Sequence, residues 1–265
     1  MSSSIQFVRN ATFVLHYAGT SILVDPLFAE KGRYPGFPGT VNSELSNPLV
    51  DMPINPESLL DGIDAVVVSH LHPDHWDEVA VQLIPKDLKI YAQNEEDAEI
   101  IRSQGFTHVV AMKEENDINR IKLQKTYCQH GTDAAYSIPE LAAILGKASG
   151  CYFTASGEKS VYYIGDTIWI EEVENNLKKW KPDIVLVNAG KATLLDDRLG
   201  AIIMGKEDLL KIHRILPEAT IVAIHLETVN HCVLSRRELR QFTEEHGFSD
   251  KVRIPEDGEQ FSLES

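Results

Sequence analysis

Residues 63–75 of this 265-residue chain read IDAVVVSHLHPDH. The part from Ile63 to Ser69 is a largely apolar run with three valines, which is typical of a strand buried on both faces. The six residues that follow contain four side chains of metal-binding type, namely His70, His72, Asp74 and His75. This cluster stands at the carboxyl end of a core strand, where sites form in open sheets. The stretch therefore predicts a metal-binding loop.

The spacing of these four side chains supports that prediction. His70 and His72 are two residues apart, so on an extended backbone they point to the same side and can bind one ion. Pro73 fixes φ and favours a turn, which can send Asp74 and His75 toward a neighbouring position. Imidazole and carboxylate together suit zinc, manganese, iron or nickel better than calcium. The alternative is a polar loop whose histidines cap the helix that follows.

Three more residues of ligand type follow predicted core strands. His130 comes after the strand 121–128, Asp166 after the strand 161–164, and His225 after the strand 221–224. Gly165 allows the backbone to turn sharply beside an ion. Taken singly, Asp166 could be a helix N-cap and either histidine a turn residue. Because all three occupy the same kind of position as residues 70–75, we predict that they are ligands.

This ordered set of motifs resembles the metallo-β-lactamase superfamily in its binuclear hydrolase form. The resemblance covers nearly the whole chain and implies an α/β fold, a four-layered αβ/βα sandwich with the metal site at one edge. It also implies two divalent metal ions, for which zinc and manganese are the expected identities. One ion would be held by His70, His72 and His130, a second by Asp74, His75 and His225, and Asp166 would bridge them.

A narrower resemblance points to the ascorbate-6-phosphate lactonase-like branch, which is also similar to the N-acylphosphatidylethanolamine phospholipase D group. It rests on residues 10–12, 23–26 and 47–49. Those relatives usually have His where this chain has Asn10, so it stays open whether Asn10 contacts substrate or a ligand.

The rest of the chain fits two mixed sheets flanked by helices. Short strands dominate the first part, and helices alternate with strands later, a pattern that buries strands between layers. The loop 28–56 is rich in proline and glycine and contains Tyr34 and Phe37, so we predict a lid or a pocket wall. We expect one domain spanning residues 1–265.

The amino-acid composition limits the classes of partner that the protein is expected to bind. The net charge is −15, with 40 acidic against 25 basic residues and no basic block, so a nucleic-acid partner is not expected. A small-molecule substrate, including an anionic one, is compatible because a metal ion dominates its surroundings. Residues 1–20 lack a secretory pattern, no apolar run is long enough to span a membrane, and three scattered cysteines argue against disulfides. We expect a cytoplasmic protein without a membrane partner, and a homo-oligomer remains open.

The implied chemistry is hydrolysis by a hydroxide that bridges two ions and attacks a carbonyl or phosphoryl centre of a small ester, lactone or phosphoester. Asp74 or Asp166 could relay a proton to the leaving group. His231 could contact substrate or act as an acid, or simply belong to a turn.

Other residues remain open between two interpretations. Asp25 is either an acceptor for a ligand imidazole or a turn residue before Pro26. Asn188 and Lys191 are candidates for holding an anionic substrate.

The main alternative function is an iron-dependent oxidoreductase, similar to a sulfur dioxygenase, on the same fold. A mono-iron enzyme of that kind typically dispenses with second-site ligands, whereas Asp74, His75 and His225 are all present. A di-iron reductase would need a flavin module, for which the chain has no room. A non-catalytic member would be expected to have lost ligands. Hydrolysis is therefore the favoured interpretation.

Overall fold

The computed structural model describes residues 3–264, so Met1 and Ser2 of the N-terminal stretch, and Ser265, lie outside the described residues. The strands are β1 (Ser4–Arg9), β2 (Thr12–Tyr17), β3 (Thr20–Val24), β4 (Ala65–Val68), β5 (Lys89–Ala92), β6 (Val109–Ala111), β7 (Glu115–Ile118), β8 (Ile121–Cys128), β9 (Ala148–Thr154), β10 (Val161–Tyr163), β11 (Ile184–Asn188), β12 (Thr220–Ile224), β13 (Val252–Arg253) and β14 (Gln260–Ser262). The helices are α1 (Pro56–Leu60), α2 (Glu78–Leu83), α3 (Glu95–Ser103), α4 (Asp133–Tyr136), α5 (Pro139–Leu145), α6 (Glu171–Trp180), α7 (Lys206–Ile215) and α8 (Arg236–Glu245).

Within residues 3–264 the strands form two seven-stranded sheets. Their orders are β14-β1-β2-β3-β4-β5-β6 and β13-β12-β11-β10-β9-β8-β7. Strands β3 to β6 pair in parallel, as do β10 to β13, whereas the hairpins β1-β2-β3 and β7-β8-β9-β10 are antiparallel. Both sheets are mixed, as the sequence predicts.

The packing of β4 explains why every residue of this strand is apolar. Ala65 and Val67 belong to the central cluster between the two sheets, while Val66 and Val68 pack with Ala80 and Ala98 of the helices outside the first sheet. Each face is therefore covered by apolar atoms, and burial of one such side chain contributes about 1.5–3 kcal/mol.

The second sheet is covered in the same way. Its inner face contributes Leu186 to the central cluster, and its outer face packs against helices α6, α7 and α8 through Leu177, Leu209 and Leu239. The layers run helix, sheet, sheet, helix. The predicted four-layered αβ/βα sandwich is confirmed, and the single-domain organisation of residues 1–265 stays a prediction.

Local boundaries differ from the sequence-based expectation in two places. The sequence pattern over 76–83 predicts a helix that starts at Trp76, but this helix begins at Glu78, because the Asp77 carboxylate accepts from the Ala80 amide and caps it. The pattern over 137–145 predicts a helix that starts at Ser137, but α5 begins at Pro139, and the short helix α4 lies before that range.

No helix within residues 3–264 has both the length and the apolar character needed to cross a bilayer.

Truncation of the core should destabilise the whole sandwich. Leu186 is fully buried, so Leu186→Ala should lower the free energy of unfolding by about 2–5 kcal/mol, measured by urea denaturation. Ile100→Ala, at a side chain 48% exposed on α3, is the control and should change it by less than about 0.5 kcal/mol. Equal effects of the two variants would contradict the layer assignment.

Candidate metal centre

The loop after β4 folds into a tight turn around Pro73. The carbonyl oxygen of His72 accepts hydrogen bonds from the amides of His75 (2.9 Å) and Trp76 (3.0 Å). The turn places Asp74 and His75 beside His70, and all three side chains are buried. The chain thus bends where the proline pattern predicts a turn.

The seven predicted ligands come together in one place. Their nitrogen and oxygen atoms form three overlapping groups, and within each group the atoms lie within 4.8 Å of one another. The groups are His70, His72 and His130; His70, His75 and Asp166; and Asp74, His75 and His225. Each group could hold a metal ion. The metal-ligand roles of these residues stay predictions, but the geometry that such roles require is present.

Asp166 occupies the middle of the cluster. Its Oδ2 faces the Nε2 atoms of four imidazoles, at 3.2 Å for His75, 3.5 Å for His130, 3.8 Å for His225 and 3.9 Å for His70. Gly165 has a φ of +81°, and a Cβ there would lie 2.5 Å from the Ser149 carbonyl oxygen, so this turn requires glycine. One carboxylate oxygen therefore faces residues of both predicted ion sites.

Asp25 is the acceptor for one of these imidazoles. Its buried carboxylate accepts from His75 Nδ1 (2.9 Å), from Tyr163 Oη (2.7 Å), and from the Ser69 amide and Oγ (2.7 and 2.6 Å). Because Nδ1 bonds to Asp25, Nε2 is the nitrogen of His75 that faces the cluster. Burial and the charge of Asp25 raise the pKa of Tyr163 well above its usual value, so its hydroxyl stays a donor. Between the two interpretations of Asp25, the contacts favour the imidazole acceptor.

The other imidazoles are fixed in the same manner, each with one nitrogen bonded outside the cluster. The contacts are His72 Nε2 with the Ile144 carbonyl oxygen (2.8 Å), His130 Nδ1 with the Ile202 carbonyl oxygen (2.9 Å), His70 Nδ1 with Ser69 Oγ (3.0 Å), and His225 Nδ1 with Cys232 Sγ (3.3 Å). A carbonyl oxygen accepts, so in His72 and His130 the opposite nitrogen is left unprotonated and available to an ion.

The electrostatics of the cluster favour positive charge. Burial opposes protonation of His75, but the carboxylates of Asp166, Asp74 and Asp25 raise the pKa of His75 to about 10. Buried carboxylates require compensation, which bound cations supply. The imidazole and carboxylate donor set fits divalent transition metals, so these residues match the ions that the sequence predicts.

Two further candidate residues, Asn10 and Asn188, bond to predicted ligands. Asn10 Nδ2 donates to the Asp74 carbonyl oxygen (3.0 Å) and to its Oδ2 (3.3 Å). Asn188 Nδ2 donates to Asp166 Oδ1 (2.5 Å). These amides are buried and committed to carboxylates, so neither is free to hold an anionic substrate.

Lys191 and His231 differ in their relation to the cluster. Lys191 is exposed, its aliphatic stem lies against Gly205, and within residues 3–264 no hydrogen bond or ion pair joins its ammonium group to the cluster. His231 is buried, and its Nδ1 has no hydrogen-bond partner among the described atoms. Burial lowers the pKa of His231 to about 4, so the imidazole is neutral at neutral pH.

The proline-rich loop lies beside the cluster. Phe37 packs edge-on against His231, with ring centroids 5.0 Å apart. A small pocket next to Asp74 is lined by Leu27, Tyr34, Phe37, Asn47, Pro48, Pro73, Asp74 and Val229. Its predicted role as a lid or pocket wall is compatible with this position. The contacts of Ser69, Tyr163 and Cys232 were missed by sequence reasoning. Ser69 and Tyr163 stand at the ends of strands that precede predicted ligands, whereas Cys232 lies in a loop seven residues past His225.

Comparison with known proteins shows which family this chain matches. The model of the Beta-lactamase superfamily domain matches residues 20–226. UPF0173 protein YddR of Bacillus subtilis is 42% identical over 260 residues, covering 98% of this chain and 100% of that protein. A UPF0173 metal-dependent hydrolase of Azorhizobium caulinodans is 24% identical over 268 residues, covering 98% and 99% of the two chains.

Two solved structures are similar over almost their full length. An isothiocyanate hydrolase from Delia radicum gut bacteria superimposes with a TM-score of 0.94 at 46% identity, covering 98% of this chain and 99% of that one. A possible metal-dependent hydrolase from Veillonella parvula superimposes with a TM-score of 0.97 at 41% identity, covering 99% and 100%.

Removal of the central carboxylate should lower metal content. We expect about two divalent ions per chain in the wild type, and one or fewer in Asp166→Ala, because Asp166 faces both predicted ion sites. Elemental analysis of purified protein measures this, with Asp87→Ala, at an exposed aspartate, as the control. Full metal content in Asp166→Ala would contradict the bridging position.

Weakening the Asp25 carboxylate should loosen the centre without removing a ligand. Asp25→Asn should reduce affinity for the second ion by about 10–100-fold, since the orienting acceptor of His75 is lost. Tyr163→Phe removes only one donor to Asp25 and should have a smaller effect. Competition with a chromophoric chelator gives both affinities, and an unchanged affinity in Asp25→Asn would refute the orienting role.

Proposed function

This chain belongs to the beta-lactamase superfamily and is a metal-dependent hydrolase, and we propose that it cleaves small neutral electrophiles, with isothiocyanates as the first substrate class. The carrying observation is the single Asp166 oxygen that faces four imidazoles, the arrangement that a two-ion hydrolytic centre needs. The name of the 46% identical relative supports the substrate class. Esters, lactones and phosphoesters, which the sequence predicts, are the competing classes.

The proposed centre assigns three ligands to each ion, as the sequence predicts. The first ion would be held by His70, His72 and His130, the second by Asp74, His75 and His225, and Asp166 would contact both. Two divalent ions so held would lower the pKa of a shared water and stabilise negative charge on the attacked group. Zinc and manganese both suit these donors.

The protein's own groups keep the ligands aligned. Asp25 orients His75, Asn188 holds Asp166, and Asn10 holds Asp74, so little rearrangement is needed when substrate arrives. Burial opposes ionisation of Asp166, but His75 and His225 hold its pKa well below the usual range. It stays a carboxylate, as a ligand must.

Proton transfer to the leaving group is a separate task. For an isothiocyanate, the oxygen of one water adds to the central carbon, and the carbon–nitrogen bond then breaks to give an amine and carbonyl sulfide. The leaving nitrogen takes up both protons of that water. Asp74 and Asp166 are candidates to relay a proton. Because His231 is neutral and its Nδ1 is unpartnered, it is placed to offer a hydrogen bond to substrate.

The surroundings of Asp74 argue for a neutral substrate. A small gap beside Asp74, with room for about one water molecule while the loop is in this position, is lined by residues that include Leu27, Phe37 and Val229. None of its eight lining residues is Lys or Arg. Lys191 is not joined to the cluster, and the net charge of −15 repels anions. These features favour an isothiocyanate, ester or lactone over a phosphoester.

The oxidoreductase alternative is not favoured. The two solved structures described above are named as hydrolases, one of them as a possible metal-dependent hydrolase, and Asp74, His75 and His225 form a complete second group.

A substrate panel tests the proposal. Protein loaded with zinc or manganese should release amine and carbonyl sulfide from phenethyl isothiocyanate faster than it hydrolyses γ-butyrolactone, p-nitrophenyl acetate or bis-p-nitrophenyl phosphate. Gas chromatography of carbonyl sulfide and chromatography of the amine give the rates. A preference for the phosphodiester, or no turnover of the isothiocyanate, would overturn the substrate assignment.

His231 should matter for turnover and not for metal binding. His231→Gln should lower kcat/KM by about 10²–10⁴-fold with unchanged metal content, because a hydrogen bond to the reacting group is lost. His246→Gln, the same change at an exposed histidine, should leave kcat/KM as in the wild type. A His231→Gln enzyme with full kcat/KM would assign His231 to the turn alone.

A further inference from the structure

A single buried residue, Asn230, makes six hydrogen bonds to the segment 34–49 of the proline-rich loop. We propose that Asn230 is a positioning residue that fastens this segment, so that Phe37 covers the side of the cluster next to Asp74 and His231 and sets the affinity for substrate. The location of the substrate rests on the proposed function, whereas the fastening itself does not.

Asn230 makes an unusually complete set of contacts. All its bonds go to residues of the segment, which lie 183 to 193 positions away in the chain. Its Oδ1 accepts from the Phe37 amide (3.0 Å) and Asn47 Nδ2 (2.8 Å), and its Nδ2 donates to Thr40 Oγ1 (2.9 Å) and the Val41 carbonyl oxygen (2.8 Å). Its backbone amide donates to Asn47 Oδ1 (2.8 Å), and its carbonyl oxygen accepts from Asn42 Nδ2 (3.1 Å).

These contacts use the full capacity of the side chain. A primary amide has two N–H donors and an oxygen with two lone pairs, and all four positions are occupied. An asparagine that only shaped its own turn would bond to backbone groups two or three residues away. Asn230 instead joins two distant segments.

The segment has little else to hold it in regular structure. It forms two isolated bridges, Tyr34 with Asn47 and Thr40 with Leu194, and its Leu49 amide donates to the Thr228 carbonyl oxygen (2.7 Å). The Tyr34 hydroxyl donates to Asp77 Oδ2 (3.2 Å). Because no ladder of strand bonds fixes the segment, its position depends strongly on side-chain contacts, of which Asn230 makes the most. The reciprocal bonds between Asn230 and Asn47 close the segment at one end, and the bond to the Phe37 amide fixes the other.

Phe37 links this fastening to the metal centre. Its ring meets His231 edge-on at an interplanar angle of 85°, and it lines the pocket that includes Asp74. Cys232, which follows His231 in the chain, contacts the predicted ligand His225. The consecutive residues Asn230, His231 and Cys232 thus contact the segment 34–49, Phe37 and the cluster, respectively.

The test compares Asn230→Ala and Asn230→Asp with the wild-type metal-loaded protein. Hydrogen–deuterium exchange measures the segment independently of activity. Peptides covering 34–49 should exchange about tenfold faster in both variants, because the amide donors to Thr40 and Val41 are lost in each. Metal content should remain as in the wild type. Unchanged exchange in Asn230→Asp, the more conservative variant, would overturn the fastening.

Steady-state kinetics with phenethyl isothiocyanate tests the effect on substrate. KM should rise about tenfold in Asn230→Asp while kcat falls less, since the pocket wall loosens and the ligands do not move. Phe37→Ala should raise KM to a similar degree without faster exchange of segment 34–49, and the double variant should add little. Faster exchange with an unchanged KM would overturn the role of Phe37.

Asn116→Ala is the matched control, because the amide of Asn116 bonds mainly to nearby Lys113. It should leave exchange and KM as in the wild type. A wild-type protein inactive on the isothiocyanate would count against the proposed function, and the exchange experiment would still decide the fastening.

Discussion

The structure depends on the need to neutralise the charge of buried carboxylates at the edge where the two sheets meet. Three buried carboxylates, Asp25, Asp74 and Asp166, face imidazoles at distances of 2.9 to 3.9 Å. Burial of charges is costly unless each is paired, so the fold must supply a partner for every carboxylate oxygen. The imidazoles partner some of these oxygens, and the proposed pair of divalent ions would partner the others. The loops after the core strands are shaped to meet that requirement.

Much of this was predictable because the strongest signals are local. An apolar run followed by His70 and His72 indicates both a buried strand and a ligand loop, and His130, Asp166 and His225 follow strands that the sequence also indicates. Strand ends of a layered sheet meet at one edge, so their convergence follows from topology. The small edge strands β13 and β14 were not foreseen, since two or three residues carry no readable periodicity.

The supporting contacts were harder to predict because they join residues far apart in the chain. Asp25 could be weighed only as an acceptor or a turn residue. Its bond to His75 joins loops that follow the neighbouring strands β3 and β4, and its bond to Tyr163 forms only when the two sheets pack together. Asn10 and Asn188, considered for substrate contact, instead bond to carboxylates. Asn230 carried no sequence signal, since its partners lie more than 180 positions away.

The most direct test of the account is whether Asp166 joins two ions. Electron paramagnetic resonance of manganese-loaded protein distinguishes a coupled pair of ions from isolated ones. The account predicts an exchange-coupled spectrum from ions about 3.5–4 Å apart in the wild type, lost in Asp166→Ala. An uncoupled single-ion spectrum in the fully loaded wild type would contradict it.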